Sequence, residues 1–165
     1  MESLIQCLNL FLKKSKTPSA LEIKGLLVLE LTGSKQSKTL TQIRRKEFNP
    51  DKYQIFEDWL THQNEFDVDE ILEQKTDFEN RLKNELKTTG HLYAPEFGLF
   101  YLDKGEEKKG INPKTRLPMI IPARQALYFF IHPKSEADNQ LNFTAPLPHV
   151  KDSDYEKLII KYFNP

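Results

Sequence analysis

The four histidines, His62, His91, His132 and His149, and the single thiol, Cys7, are the side chains of this 165-residue sequence suited to metal or nucleophilic chemistry. Their spacing supports neither. The histidines are too scattered for a helical pair of the H-x-x-x-H kind and have no cysteine beside them, so no zinc-type donor set forms locally. No G-x-S-x-G elbow and no Cys/His nucleophile pattern occurs. The run Gly105-Glu106-Glu107-Lys108-Lys109-Gly110 puts acids where a phosphate cradle needs backbone amides free of competing negative charge. The acids between Glu65 and Glu73 lack the alternating ligands and glycine of a calcium loop and read as a solvated helix start. No catalysis, metal or cofactor is expected.

Charge is the more informative chemistry. The chain carries 24 basic and 24 acidic residues, which argues against a nonspecific polyanion binder of the strongly basic kind. The neutral sum hides segregation: residues 1–49 hold nine basic and four acidic residues, while residues 50–90 hold five and eleven. A positive surface is therefore compatible with a neutral molecule. Residues 102–130 hold six cations, Lys104, Lys108, Lys109, Lys114, Arg116 and Arg124, against three acids, Asp103, Glu106 and Glu107. Among them stands Asn112-Pro113, an ordinary turn former whose proline ring is rigid, apolar and free of a backbone donor.

These residues need elements to position them, and the length suffices for one domain with its own core. Lone Cys7 excludes an intramolecular disulfide and fits a reducing compartment. The start of the chain, acid first and lysines after the apolar run, has the wrong order for an export signal, and its longest apolar run, residues 126–131, is far short of a membrane span. A soluble intracellular protein is expected. Leu4, Leu8, Phe11 and Leu12 have helical spacing, and Thr17-Pro18 reads as a cap and first turn of a second short helix. Residues 26–31 are compatible with a strand, since a short apolar run has no decisive period. A boundary falls near Asn49.

Asn49-Pro50 is a further cap-plus-proline start, with Tyr53, Phe56, Trp59 and Leu60 on one face. After Asp67, the stripe Ile71, Phe78, Leu82 and Leu86 predicts a longer helix, supported by a Glu79–Lys83 pair and stopped by Gly90. From His91 the period changes to that of strands, in a long ribbon with a polar tip. A short helix is expected over residues 134–141, and Tyr155 to Phe163 forms an amphipathic helix behind a proline-rich loop.

The stretch from Phe97 to Ala123 resembles the HU and integration host factor family of bacterial histone-like, architectural DNA-binding proteins. Phe97-Gly98-Leu99-Phe100 matches that family's F-G-x-F, Gly110-Ile111-Asn112-Pro113-Lys114-Thr115 its G-R-N-P-x-T, and Ile121-Pro122-Ala123 its I-P-A, in register. Leu86 to Gly90 matches the L-K-x-x-G that ends the family's second helix. The resemblance covers about residues 50–142. It implies an α+β, HU-like domain: two helices, a three-stranded sheet extended into a β-ribbon arm, and a short C-terminal helix, in an intertwined homodimer. Residues 1–49 are then a basic, mainly helical N-terminal extension, and residues 143–165 a tail with the amphipathic helix.

By the same resemblance, the partner is double-stranded DNA, bent with little sequence preference by an arm in the minor groove, and the setting is the cytoplasmic nucleoid, where such proteins condense DNA. Pro113 is the wedge, Asn112 the tip residue beside it, and Lys104, Lys108, Lys109, Lys114, Arg116 and Arg124 the phosphate contacts. This chain departs from the pattern where Ile111 replaces the arginine before Asn-Pro, where Glu96 replaces the glycine before Phe-Gly, and where Pro118 interrupts the returning strand. Those departures keep a second reading open, an HU-fold structural or protein-interaction module without a strong DNA grip. Residues 1–49 could add to that grip, dock a protein partner, or cover the surface a second subunit would bury, leaving a monomer.

Overall fold

A computed structural model describes residues 2–34, 36–104, 107–121, 125–137, 142–144 and 154–163. The chain opens with helix α1 (Glu2–Lys14), whose apolar face is wholly buried through Leu4, Leu8, Phe11 and Leu12. Strands β1 (Ser19–Ile23), β2 (Leu27–Gly33) and β3 (Ser37–Ile43) follow as an antiparallel meander. The Lys38 ammonium on β3, 1% exposed, donates to the carbonyls of Leu12 (2.9 Å), Lys13 (2.9 Å) and Ser15 (3.2 Å). Three N–H bonds thus meet three acceptors at the negative end of α1, and the same burial pushes the ammonium below the ordinary lysine range.

The expectation of a mainly helical extension is corrected here: one helix is followed by three strands, and Thr17-Pro18 leads into β1 rather than a helix. Strand β2 is internal to its sheet, with Leu27, Val28, Leu29 and Leu31 all buried. A strand buried on both faces shows no alternation, so its period resembles that of a buried helix.

Beyond Asn49 the capping signal is used in miniature. The Asn49 side chain accepts from the Asp51 amide at 3.2 Å, but it starts only a 3-10 turn over Pro50–Lys52. Strand β4 (Gln54–Ile55) then pairs parallel with β1, so helix α2 begins later than expected and spans Phe56–Thr61. Helix α3 (Val68–Thr88) follows the predicted stripe, with the Asp67 carboxylate accepting from the Glu70 amide and Gly90 (φ +81°) ending it. Its expected Glu79–Lys83 pair is replaced: Glu79 accepts from buried Lys75 at 2.7 Å and from the Lys24 amide at 2.7 Å.

Strands β5 (His91–Ala94), β6 (Gly98–Lys104) and β9 (Gln125–Ile131) form an antiparallel sheet, and β7 (Lys108–Ile111) and β8 (Pro118–Ile121) form a separate hairpin between β6 and β9. Strand β10 (Asn142–Thr144) pairs with β3, completing a five-stranded sheet in the order β10-β3-β2-β1-β4. Pairing therefore crosses both expected boundaries, at 49 and at 142. Helix α4 (Asp154–Phe163) bears out the amphipathic reading of the C terminus. The helix expected over residues 134–141 passes out of the described residues after Ala137, and the proline-rich loop before α4 lies outside them.

One core joins these parts. Buried side chains of α1, β1, β2 and β3 share a cluster with Phe56, Trp59, Phe78, Leu82, Phe97, Phe100 and Phe129. Phe11 meets Phe56 and Trp59 edge-on at 5.3 Å, and the Phe129 ring lies 4.9 Å from Phe100 and 5.0 Å from Phe97. The Gln42 side chain of β3 bonds to the Leu127 carbonyl and the Phe129 amide, acting as a one-residue partner for the edge of β9. The Asn9 amide donates to the carbonyl of Glu96 at 3.0 Å. Glu96 itself has φ +64°, a left-handed conformation that glycine adopts without steric cost. On the opposite face of the β5-β6-β9 sheet, α4 covers Leu99, Tyr101 and Phe130, with Tyr162 stacked on Tyr93 at 4.4 Å.

Candidate nucleic-acid interface

Six of the eight residues expected to touch DNA lie on the β7–β8 hairpin: Lys108, Lys109, Asn112, Pro113, Lys114 and Arg116. Lys104 ends β6 at the root of the arm, with its side chain outside the described residues, and Arg124 lies outside them entirely. The hairpin register pairs Lys108 with Ile121, Lys109 with Ile120, Gly110 with Met119 and Ile111 with Pro118. Directly opposed residues share a face, so Lys109, Ile111, Pro118 and Ile120 lie on one side and Lys108, Met119 and Ile121 on the other. Each face carries one lysine over apolar neighbours.

The tip is built by Asn112. Its amide donates to the Leu117 carbonyl at 2.9 Å, its carbonyl accepts from the Arg116 amide at 2.7 Å, and its side-chain oxygen accepts from the Lys114 amide at 2.9 Å. That side-chain turn holds Pro113 exposed at the end of the loop, with Arg116 (φ +57°) returning the chain. Lys108, Lys109, Lys114 and Arg116 are all exposed, and among the described residues none is in an ion pair. The apolar character of the arm is what sequence reasoning missed: Ile111, Leu117 and Ile120 are 70%, 62% and 62% exposed. The signal was present, since these residues flank Pro113 and Pro118 in a segment too charged to enter a core.

The residues considered for other chemistry have structural surroundings. Cys7 is buried, and that burial, with the charge of Glu65, pushes its thiol up to about 12. His132 accepts from the Lys134 amide through Nδ1 at 2.9 Å, and its Nε2 lies 3.3 Å from the Tyr162 carbonyl, so the ring ties α4 to the sheet. Among the described residues, no three of His, Cys, Asp and Glu come together as a metal site, and no helix is long and apolar enough to cross a membrane. Of the acids from Glu65 to Glu73, Asp67 caps α3 and Asp69, Glu70 and Glu73 lie in its first turns, while Glu65 precedes it.

Residues 54–138, just over half of the chain, match the model of a family described as Bacterial DNA-binding protein. The chain belongs to that family, whose members are non-enzymatic DNA-binding proteins. Residues 1–53 lie outside the match. Among solved structures, an Anabaena HU–DNA cocrystal structure is similar to it at 20% identity and a TM-score of 0.35, over 46% of this chain and 82% of that one. No curated protein matches it.

Proposed function

We propose that this protein is an architectural DNA-binding protein of low sequence specificity, which binds and bends duplex DNA by placing the β7–β8 arm in the minor groove. The observation that carries this reading is the tip: a rigid, exposed proline held by the Asn112 turn, with four exposed cations behind it that form no ion pair among the described residues. HU and integration host factor are themselves minor-groove proteins that kink DNA by inserting apolar wedges. In this reading Pro113 enters a base step, Ile111 and Leu117 widen the apolar contact, and Lys108, Lys109, Lys114 and Arg116 neutralise phosphates. Lys104 and Arg124 extend those contacts to the root of the arm. Residues 50–142 carry the contact, within a body completed by residues 1–49, and the protein acts in the cytoplasmic nucleoid, where it condenses DNA.

The homodimer implied by the family has to be weighed against the core. Phe97 and Phe100 are fully buried within one chain. A dimer of this protein would have to use other surfaces, and sedimentation at micromolar protein measures whether the species weighs 19.3 kDa or twice that.

Fluorescence anisotropy with a labelled duplex of about 35 base pairs, across a salt series, tests the DNA reading. Salt-sensitive binding that Lys108/Lys109/Lys114→Ala flattens, with energy-transfer bending lost in Pro113→Ala, supports it. The exposed apolar residues of the arm favour one alternative, a protein-interaction module on the same fold. Absence of binding even at low salt selects that alternative.

A further inference from the structure

Two grooves meet at the root of the arm. The first, of about 540 Å³, lies between the β1–β2 turn at Gly25 and Leu26, the last turns of α3 at Lys83 and Lys87, and the strand ends at Leu102 and Gln125. The second, of about 720 Å³, runs between β2–β3 and β9 and is rimmed by Arg44 and Arg45. Leu26 and Leu127 line both, so the two are adjacent stretches of one channel-like surface. Gln125 pairs with Lys104 in the last rung of the body sheet before the arm, so this channel opens where the arm leaves the body.

Among the described residues the charges along it are of one sign: Lys83, Lys87, Arg44 and Arg45 are the charged ones that line it, in a molecule that has as many acids as bases. Among the described residues none of the four is in an ion pair. Two neighbouring acids are turned away for identifiable reasons. Glu79, one helical turn before Lys83, is engaged by Lys75 and by the Lys24 amide. Asp103, next to Leu102 on β6, is buried, and alternation along the strand puts it on the opposite face. Lys83 and Lys87, four residues apart, share one side of α3. Gly25 (φ +80°) brings the turn so close that a Cβ there would lie 3.3 Å from the Lys83 ammonium. Cations over apolar, low-dielectric walls concentrate positive potential more strongly than the same charges on an open surface.

We infer that this channel is a second DNA contact, which takes the phosphates of the duplex flanking the point gripped by the arm. It rests on the DNA-binding reading above and deepens it: residues 1–49, through Arg44 and Arg45, supply a grip outside the family match. The described arm offers four cations offset by Glu107, and the channel doubles the number of cations available to phosphates.

The test uses the full-length protein with Lys83→Gln/Lys87→Gln, Arg44→Gln/Arg45→Gln, Arg44→Lys/Arg45→Lys and Lys108→Gln/Lys109→Gln/Lys114→Gln. Anisotropy is recorded on a duplex of about 35 base pairs over a salt series. Each lost phosphate contact lowers the log–log salt slope by about 0.9, so each glutamine pair in the channel is expected to lower it by nearly 2 and to weaken binding roughly tenfold or more. The Arg-to-Lys pair keeps the wild-type slope, because charge is retained at the same place. Wild-type slope and affinity in both channel glutamine pairs, with the arm variant impaired, overturn the inference and leave the DNA-binding reading standing. Absence of wild-type binding at low salt overturns both.

Discussion

Gly98 shows how tightly one residue of the F-G-x-F motif is constrained. A Cβ there would collide with the Phe130 carbonyl and stand 2.6 Å from the Phe129 ring, so glycine is required by the approach of β9. Overpacking of this kind against backbone is expected to cost about 2 kcal/mol or more, and Gly98→Ala should lower the urea midpoint accordingly. Cys7 gives a prediction in pH. Its thiol is pushed from an ordinary 9.0 to about 12 by burial and by Glu65, so between those values the folded chain holds a proton that the unfolded chain has lost. Its stabilising contribution is fully present below about pH 9 and is lost as pH rises toward 12. Urea melts of wild type and Cys7→Ala across that window should converge as pH rises, and a constant difference would contradict the assignment.

At the scale of elements, α3 is held by ions as well as by its apolar stripe. Lys75, buried, bridges Glu79 at 2.7 Å and Glu57 at 3.2 Å, and Glu79 also accepts from the Lys24 amide, so α2, α3 and the β1–β2 turn meet at the Lys75–Glu79 pair. Removing one partner of a buried pair strands the other, at a cost of about 3 kcal/mol. Lys75→Met should therefore destabilise by about that amount in chemical denaturation, with much of it recovered in Lys75→Met/Glu79→Leu. Helix α3, the arm and α4 were legible from caps, stripes and turn residues, all of which act within a few neighbours. The Glu79 partner was not: Lys75 and Lys83 are both four residues away, and only the positions of α2 and Lys24 decide between them. The start of α2 was lost in the same way, because β1 draws Gln54–Ile55 into a strand that its local propensities do not announce.

Over the whole molecule, the inner face of the β5-β6-β9 sheet and the face of α1 belong to a single buried cluster. Deleting residues 1–49 would uncover Phe56, Phe97, Phe100 and Phe129 together and remove the Lys38 and Gln42 contacts. The fragment 50–142 is accordingly expected to lose cooperative unfolding and to bind a hydrophobic dye, as seen by circular dichroism and fluorescence. A sharp melt of that fragment would show instead that it folds by itself. The same closure sets the scale of the DNA contact, which in the proposed reading involves the arm from one half of the chain and arginines from the other.

By itself the sequence determined the family, the place of the arm and its Asn112-Pro113 tip, and the long helix, because motifs, caps and helical stripes are encoded by residues close together. Only the tertiary structure decided that the segment after α1 forms strands β1, β2 and β3, that these complete the aromatic core, and that Lys83 and Lys87 line a groove adjoining the one rimmed by Arg44 and Arg45. The physical reason is common to all three. A short apolar run has no preferred period until another element covers it, and a charge has no set partner until the fold brings distant segments together.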